Sequence, residues 1–177
     1  PLADGPVFAP GVWDGGLSPF DPAQITEDLS HAWMKGDTAH PSRGRTEPDE
    51  AMPDPAYTWC KAPRLNGLGH EVGAIARQVV DGHPLALALA GGGVLARVAG
   101  RLLELARTQP LMERLVAGIT PGASFMERGT LPREGAGVGL VEAARGSLGH
   151  WVRIEGGKVA GYQIIAPTTW NFSPRDG

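Results

Sequence analysis

The chain has 177 residues, 42% of them hydrophobic, a formal net charge of −3 and a single cysteine. That length carries one moderate domain or part of a larger one; the charge leaves no basic footprint, which excludes nucleic acid as a partner, and one thiol excludes an internal disulfide or a Cys-x-x-Cys site. No run of 18 apolar residues occurs, because 86–99 is broken by Gly91, Gly92, Gly93 and Arg97, so no segment here inserts in a membrane as a helix.

With 26 glycines and 16 prolines the composition is loop-rich. Together with a start at Pro1 and a finish on Arg175-Asp176-Gly177, it favours an internal fragment, a single partial domain over 1–177. Residues 5–16 are turn-rich, with Trp13 as a packing residue. Asp21 then has the makings of a helix N-cap: Pro22 falls at N1, Gln24 at N3 completes a capping box, and Phe20 staples onto Ile25. A short helix over 22–33 is expected, with Ile25, Leu29 and Trp33 on one face. Residues 36–54 are polar and broken by proline, an extended excursion with little regular structure.

His31 ahead of this excursion and His40 within it could be drawn as metal ligands together with Asp37, but their spacing matches no metal pattern and the histidines read as structural. Cys60 and His70 can be drawn as nucleophile and base; without an orienting third group, Cys60 reads as a buried inert thiol. Within YTWCKAPR, 57–64, two readings stay open: a strand with Tyr57 and Trp59 inward, Lys61 in solvent and Pro63 at its end, or a supporting role beside a functional site.

Residues 71–81 are helical in spacing and stopped by Gly82. Gly91-x-Gly93-x-x-Ala96 imitates a dinucleotide-binding fingerprint. The preceding Leu-Ala alternation favours helix over strand, however, so the glycines interrupt helical structure rather than cradle a phosphate. A helix over 94–108 carries Leu95, Val98, Leu102 and Leu105 as an apolar stripe, with Arg97, Arg101, Glu104 and Arg107 on a solvated face. Pro110 restarts a second helix that runs to Ile119. Loop follows over 125–137, then a short strand over 138–143.

Residues 148–155 alternate apolar and polar, Gly156-Gly157 suits a two-residue turn, and 158–166 returns to complete a hairpin. The strand stops at Pro167, which has no ladder donor. PTTWNFSPRD, 167–176, packs poorly and reads as a loop held for chemistry. His150 reads as a hydrogen-bonded structural histidine. The fold class is α+β, mainly helical, with a C-terminal β-hairpin.

In order along the chain, ITEDLSHAWMKGD, HPSRGRTEP, YTWCKAPR, EVGAIARQ, residues 142–146, LGHW at 148–151, YQ at 162–163 and PTTWNFSPRD closely resemble the large subunit of nickel-iron hydrogenases. Ala144 departs from the family, which has proline there. The resemblance implies the catalytic subunit of an enzyme that cleaves or forms dihydrogen heterolytically, with uptake favoured. It implies a Ni-Fe(CN)2(CO) centre in the complete subunit and an iron-sulfur small subunit as partner. Four thiolates from two Cys-x-x-Cys motifs hold that centre in the family, and these residues contain neither motif. No metal ligand is therefore expected in this chain, and the fragment alone is expected to be inactive.

Arg175 and Asp176 match the family's residues beside the metals, with Ser173 and Pro174 as wall of the cyanide-ligand pocket. Arginine suits that place, since its backbone N–H and its permanently charged guanidinium both donate toward an anionic acceptor. Asp176 either pairs with Arg175 or relays a proton. YTWCKAPRL also resembles the regulatory branch, which implies a different reading: a hydrogen sensor that signals through a partner kinase. A sensor would be cytoplasmic; an uptake enzyme would be membrane-associated through its partners.

Overall fold

The computed structural model describes residues 7–124, 126 and 128–175, which form two compact units. One comprises residues up to Ser18 with Ala74–Leu131; the other comprises Pro19–Gly73 with 132–177.

In the first unit, strands β1 (Val12–Trp13) and β2 (Leu17–Ser18) form a small antiparallel hairpin. Three helices follow, α1 (Ala74–Val80), α2 (Pro84–Ala88) and α3 (Gly93–Ala117). Gly82 ends α1 as the sequence predicts: at φ 77° it lets its own N–H reach Val79 O while His83 N–H reaches Gln78 O, satisfying the last carbonyls. The glycine-rich stretch lies between two helices, with no strand before it, so the dinucleotide reading is discarded.

α3 differs from expectation twice. It is one 25-residue helix with Pro110 inside it, not two. Strong helix formers flank the proline, and Ala106, whose carbonyl loses its intrahelical donor, is exposed to water. Its packing face is also not the leucine stripe. Ala96 and Gly100 are buried, and a Cβ on Gly100 would stand 2.7 Å from the Ile75 backbone, so the missing side chain lets α1 and α3 approach closely. Ile75, Val79, Ala86 and Ala96 make the core, with Trp13 and Leu103 against it.

Of the face expected to be solvated, Arg97 and Arg101 are exposed, but Glu104 and Arg107 are docked instead. Glu104 accepts a two-pronged bond from buried Arg77 (2.9 and 2.7 Å), and Arg107 pairs with Asp81. Phe8 lies against both guanidinium groups, 4.5 Å from that of Arg107. Leu95, Leu102 and Leu105 are left 72%, 61% and 68% exposed.

In the second unit, Asp21 does cap: its Oδ1 accepts Ala23 N–H at 2.9 Å. What it caps is a single 3-10 turn, Pro22–Gln24, after which the chain enters strand β3 (Ile25–Asp28) rather than a helix. β-branched Ile25 and Thr26 pair antiparallel with strand β4 (Ala62–Leu65), and that tertiary partner overrides the local signal. Residues 29–61 between them are irregular, tied by bridges such as Ala32 to Thr58 and Met34 to Pro48.

A meander of β5 (Gly135–Ala143), β6 (Gly146–Glu155) and β7 (Lys158–Ile165) completes the unit. Gly156 and Gly157, at φ 58° and 76°, form the predicted tight turn. Gly149 in LGHW has a packing reason: a Cβ there would lie 2.3 Å from the indole of Trp151, which folds over it and is buried. Pro167 ends β7 and starts α4 (Pro167–Asn171), a short helix where the sequence reads as loop; proline suits the first helical position because its missing N–H would have no partner there. Mixed helix and sheet with a C-terminal antiparallel sheet bears out the α+β class.

Candidate functional site

β4 and the residues leading into it organise the site. Arg64 is buried at 5% exposure, and its guanidinium reaches the far end of the chain: Nη1 donates to Ser173 Oγ at 2.6 Å and to Pro63 O at 2.8 Å, while Nη2 donates to Pro174 O at 2.8 Å. Ser173 Oγ in turn donates to Pro174 O at 3.2 Å. Pro174 is buried and Arg175 exposed. The Arg175 backbone N–H donates to Tyr57 Oη at 2.9 Å, and its guanidinium carbon lies 5.9 Å from the centre of the Tyr57 ring. The geometry therefore brings Ser173, Pro174 and Arg175 into one wall. Asp176 lies outside the described residues.

Two expectations about this wall change. The Arg175 N–H is taken by Tyr57, which leaves the guanidinium as the donor that Arg175 presents. Of the two readings left open for YTWCKAPR, the strand with Tyr57 and Trp59 inward and Lys61 in solvent does not hold: Tyr57 and Trp59 are half-exposed, whereas Lys61 is only 6% exposed. Pro63 lies within β4, which among the described residues forms a two-stranded sheet with β3, so no second ladder at Pro63 requires its missing N–H.

Lys61 lies in a polar cluster that the sequence reading missed. Its Nζ donates to Glu27 Oε2 (3.2 Å), Arg45 O (2.7 Å) and Gln163 Oε1 (3.1 Å), and Gln163 Oε1 also accepts from Thr46 Oγ1 (2.9 Å). Burial raises the Glu27 carboxyl above its ordinary range, against the opposing charge and hydrogen bond of Lys61. Had residues 25–28 been read as a strand, Glu27 would have fallen on the buried face with Ile25, and a buried carboxylate calls for a cation. Burial also pushes Asp28 up, but the N–H and hydroxyl of Ser30, the hydroxyl of Thr38 and the charge of Arg64 bring it below the usual range.

The remaining candidates separate. Cys60 directs its thiol at Lys61 O and Thr169 O, and burial raises its pKa, so it is poorly suited to act as a nucleophile. His70 Nδ1 lies by Leu68 O instead. His40 Nδ1 accepts Ser42 N–H, which leaves Nε2–H to donate to Pro22 O. His31 is buried against Tyr57, and His150 Nδ1 lies 2.6 Å from Tyr162 Oη. Among the described residues no group of three or more His, Cys, Asp or Glu could hold a metal ion. The group that Arg175 presents is a guanidinium, which donates hydrogen bonds and suits an anionic acceptor.

The sequence profile of the nickel-dependent hydrogenases matches residues 7–84 and 82–177. The chain belongs to that family. Among similar proteins, the uptake hydrogenase large subunit of Rhizobium leguminosarum bv. viciae is 36% identical over 201 residues, which cover 88% of this chain and 34% of the relative. The hydrogenase-1 large chain of Escherichia coli K12 is 32% identical, with the same coverage. The reduced, active Ni-Fe-Se hydrogenase of Desulfomicrobium baculatum superposes with a TM-score of 0.81 at 30% identity, over 96% of this chain and 40% of its own. The chain spans about a third of the length of the curated relatives it matches.

Proposed function

We propose that this chain is part of the catalytic subunit of a nickel-iron hydrogenase that takes up dihydrogen, cleaves it heterolytically and passes the electrons to an iron-sulfur small subunit. The observation that carries the proposal is the Ser173-Pro174-Arg175 wall, held from behind by buried Arg64 with the Arg175 guanidinium left outward. The names of the similar large subunits support the uptake direction.

When bound, a nickel-iron centre with carbon monoxide and cyanides on its iron supplies the redox chemistry. Its thiolates come from other parts of the subunit, since Cys60 is engaged with backbone carbonyls. This chain's residues shape the surroundings. Arg175 places a permanent positive charge and several N–H donors at the wall, which suits an anionic acceptor such as cyanide. Pro174, buried and without an N–H, sets the backbone ahead of Arg175 through its fixed φ. Ser173 spends its hydroxyl on Arg64 and Pro174 O, so it supports the wall from within. No helix among the described residues is long and apolar enough to cross a membrane, and in this reading any membrane attachment runs through partners.

The test is the complete large subunit purified with its small subunit. About one nickel per subunit and hydrogen-deuterium exchange are expected; metal loading without exchange, or no nickel at all, would overturn the proposal.

A further inference from the structure

The Pro174–Arg175 peptide is held at both ends. A trans peptide is planar, with its carbonyl oxygen and its N–H on opposite sides. Here Arg64 Nη2 donates to the oxygen at 2.8 Å and Tyr57 Oη accepts the N–H at 2.9 Å. The holders are seven positions apart in one segment, YTWCKAPR, and each is fixed before it reaches the wall. Arg64 lies on β4, in register with Thr26 of β3. Tyr57 is tied through its backbone, its N–H donating to His31 O at 3.1 Å, and its ring lies 5.6 Å from that of buried His31.

Orienting that peptide orients the side chain after it. Fixing the plane restricts ψ of Pro174 and the orientation of the N–Cα bond of Arg175, from which the guanidinium departs on a flexible stem. We infer that Tyr57 is a positioning residue which, opposite Arg64, clamps the Pro174–Arg175 peptide and so aims the Arg175 guanidinium. The inference rests on the hydrogenase reading, in which Arg175 faces the metal centre.

Tyr57→Phe in the metal-loaded parent enzyme is the test, because it deletes the acceptor while keeping the ring against His31 and Arg175. Nickel content is expected to stay normal and hydrogen-deuterium exchange to fall about tenfold, the scale of one net hydrogen bond. The infrared stretching bands of the iron's cyanides should move in the same direction as in Arg175→Lys. In an Arg175→Lys background the further loss from Tyr57→Phe should vanish, since residues acting through one another are not additive. Unchanged exchange and bands, or losses that multiply in the double variant, would overturn the assignment, and so would loss of nickel, which would make Tyr57 an assembly residue. Failure of the unsubstituted parent to bind nickel or exchange hydrogen would instead count against the hydrogenase reading.

Discussion

Two adjacent carboxylates on β3, Glu27 and Asp28, are displaced in opposite directions by their surroundings. Glu27 has its folded-state pKa raised above the ordinary 4.5. Its contribution to stability is therefore present at low pH and is lost as pH rises from about that value through the raised one. Glu27→Gln removes this proton linkage, so the wild type should lose stability relative to the variant across that window; denaturation midpoints of both proteins against pH check it, and parallel curves would contradict it. At the wall, Arg175→Lys keeps the charge but not the planar fork of donors. In the complete enzyme of the proposed function, nickel content should stay near normal while hydrogen-deuterium exchange falls on the order of a hundredfold. Near-wild-type exchange would remove Arg175 from the reaction. Arg175 stands out in the sequence because its motif is distinctive; the Lys61–Glu27 pair does not, because 22–33 reads as helix by its cap, and the strand that forms over 25–28 is decided by β4, whose Ala62 lies opposite Asp28.

Element by element, local signals succeeded where the deciding contacts are local. Gly82, the Gly156-Gly157 turn and the stop at Pro167 all follow from the backbone preferences of glycine and proline. α3 shows the opposite case. Its amphipathic pattern predicts burial of Leu95, Leu102 and Leu105, yet the contact with α1 is chosen by Gly100 and by the Arg77–Glu104 and Arg107–Asp81 pairs. Gly100→Ala tests that choice. Alanine favours helix by about 1 kcal/mol, but its Cβ would collide with the Ile75 backbone, and overpacking of that kind costs about 1–3 kcal/mol. A lower thermal midpoint is expected, whereas a higher one would mean that the helices are free to separate.

At the scale of the whole chain, the resemblance to a catalytic subunit was carried by short motifs in order, and the family match agrees with it. The regulatory flavour of YTWCKAPRL rests on a few variable positions; the similar large subunits bear the uptake name. The leucines of α3 in one unit, and Val138, Val141 and Val159 of the C-terminal sheet in the other, are exposed apolar side chains that an isolated chain must place in water. Expressed alone, the chain should self-associate, which light scattering would detect; a monodisperse monomer would contradict this. Elemental analysis of the same preparation should find no stoichiometric nickel, because one thiol does not replace four.

Arg64 and Ser173 are 109 positions apart, and Tyr57 and Arg175 are 118 apart, with the whole of 74–131 between them. During synthesis at roughly 5–20 residues per second, Arg64 leaves the ribosome roughly 5–20 seconds before Ser173 does. Throughout that interval the guanidinium has no wall to hold, however well the intervening helices have already folded. The order of translation therefore places the closing of this wall after the helices between its two halves have been made, and a chain cut short before residue 173 lacks it.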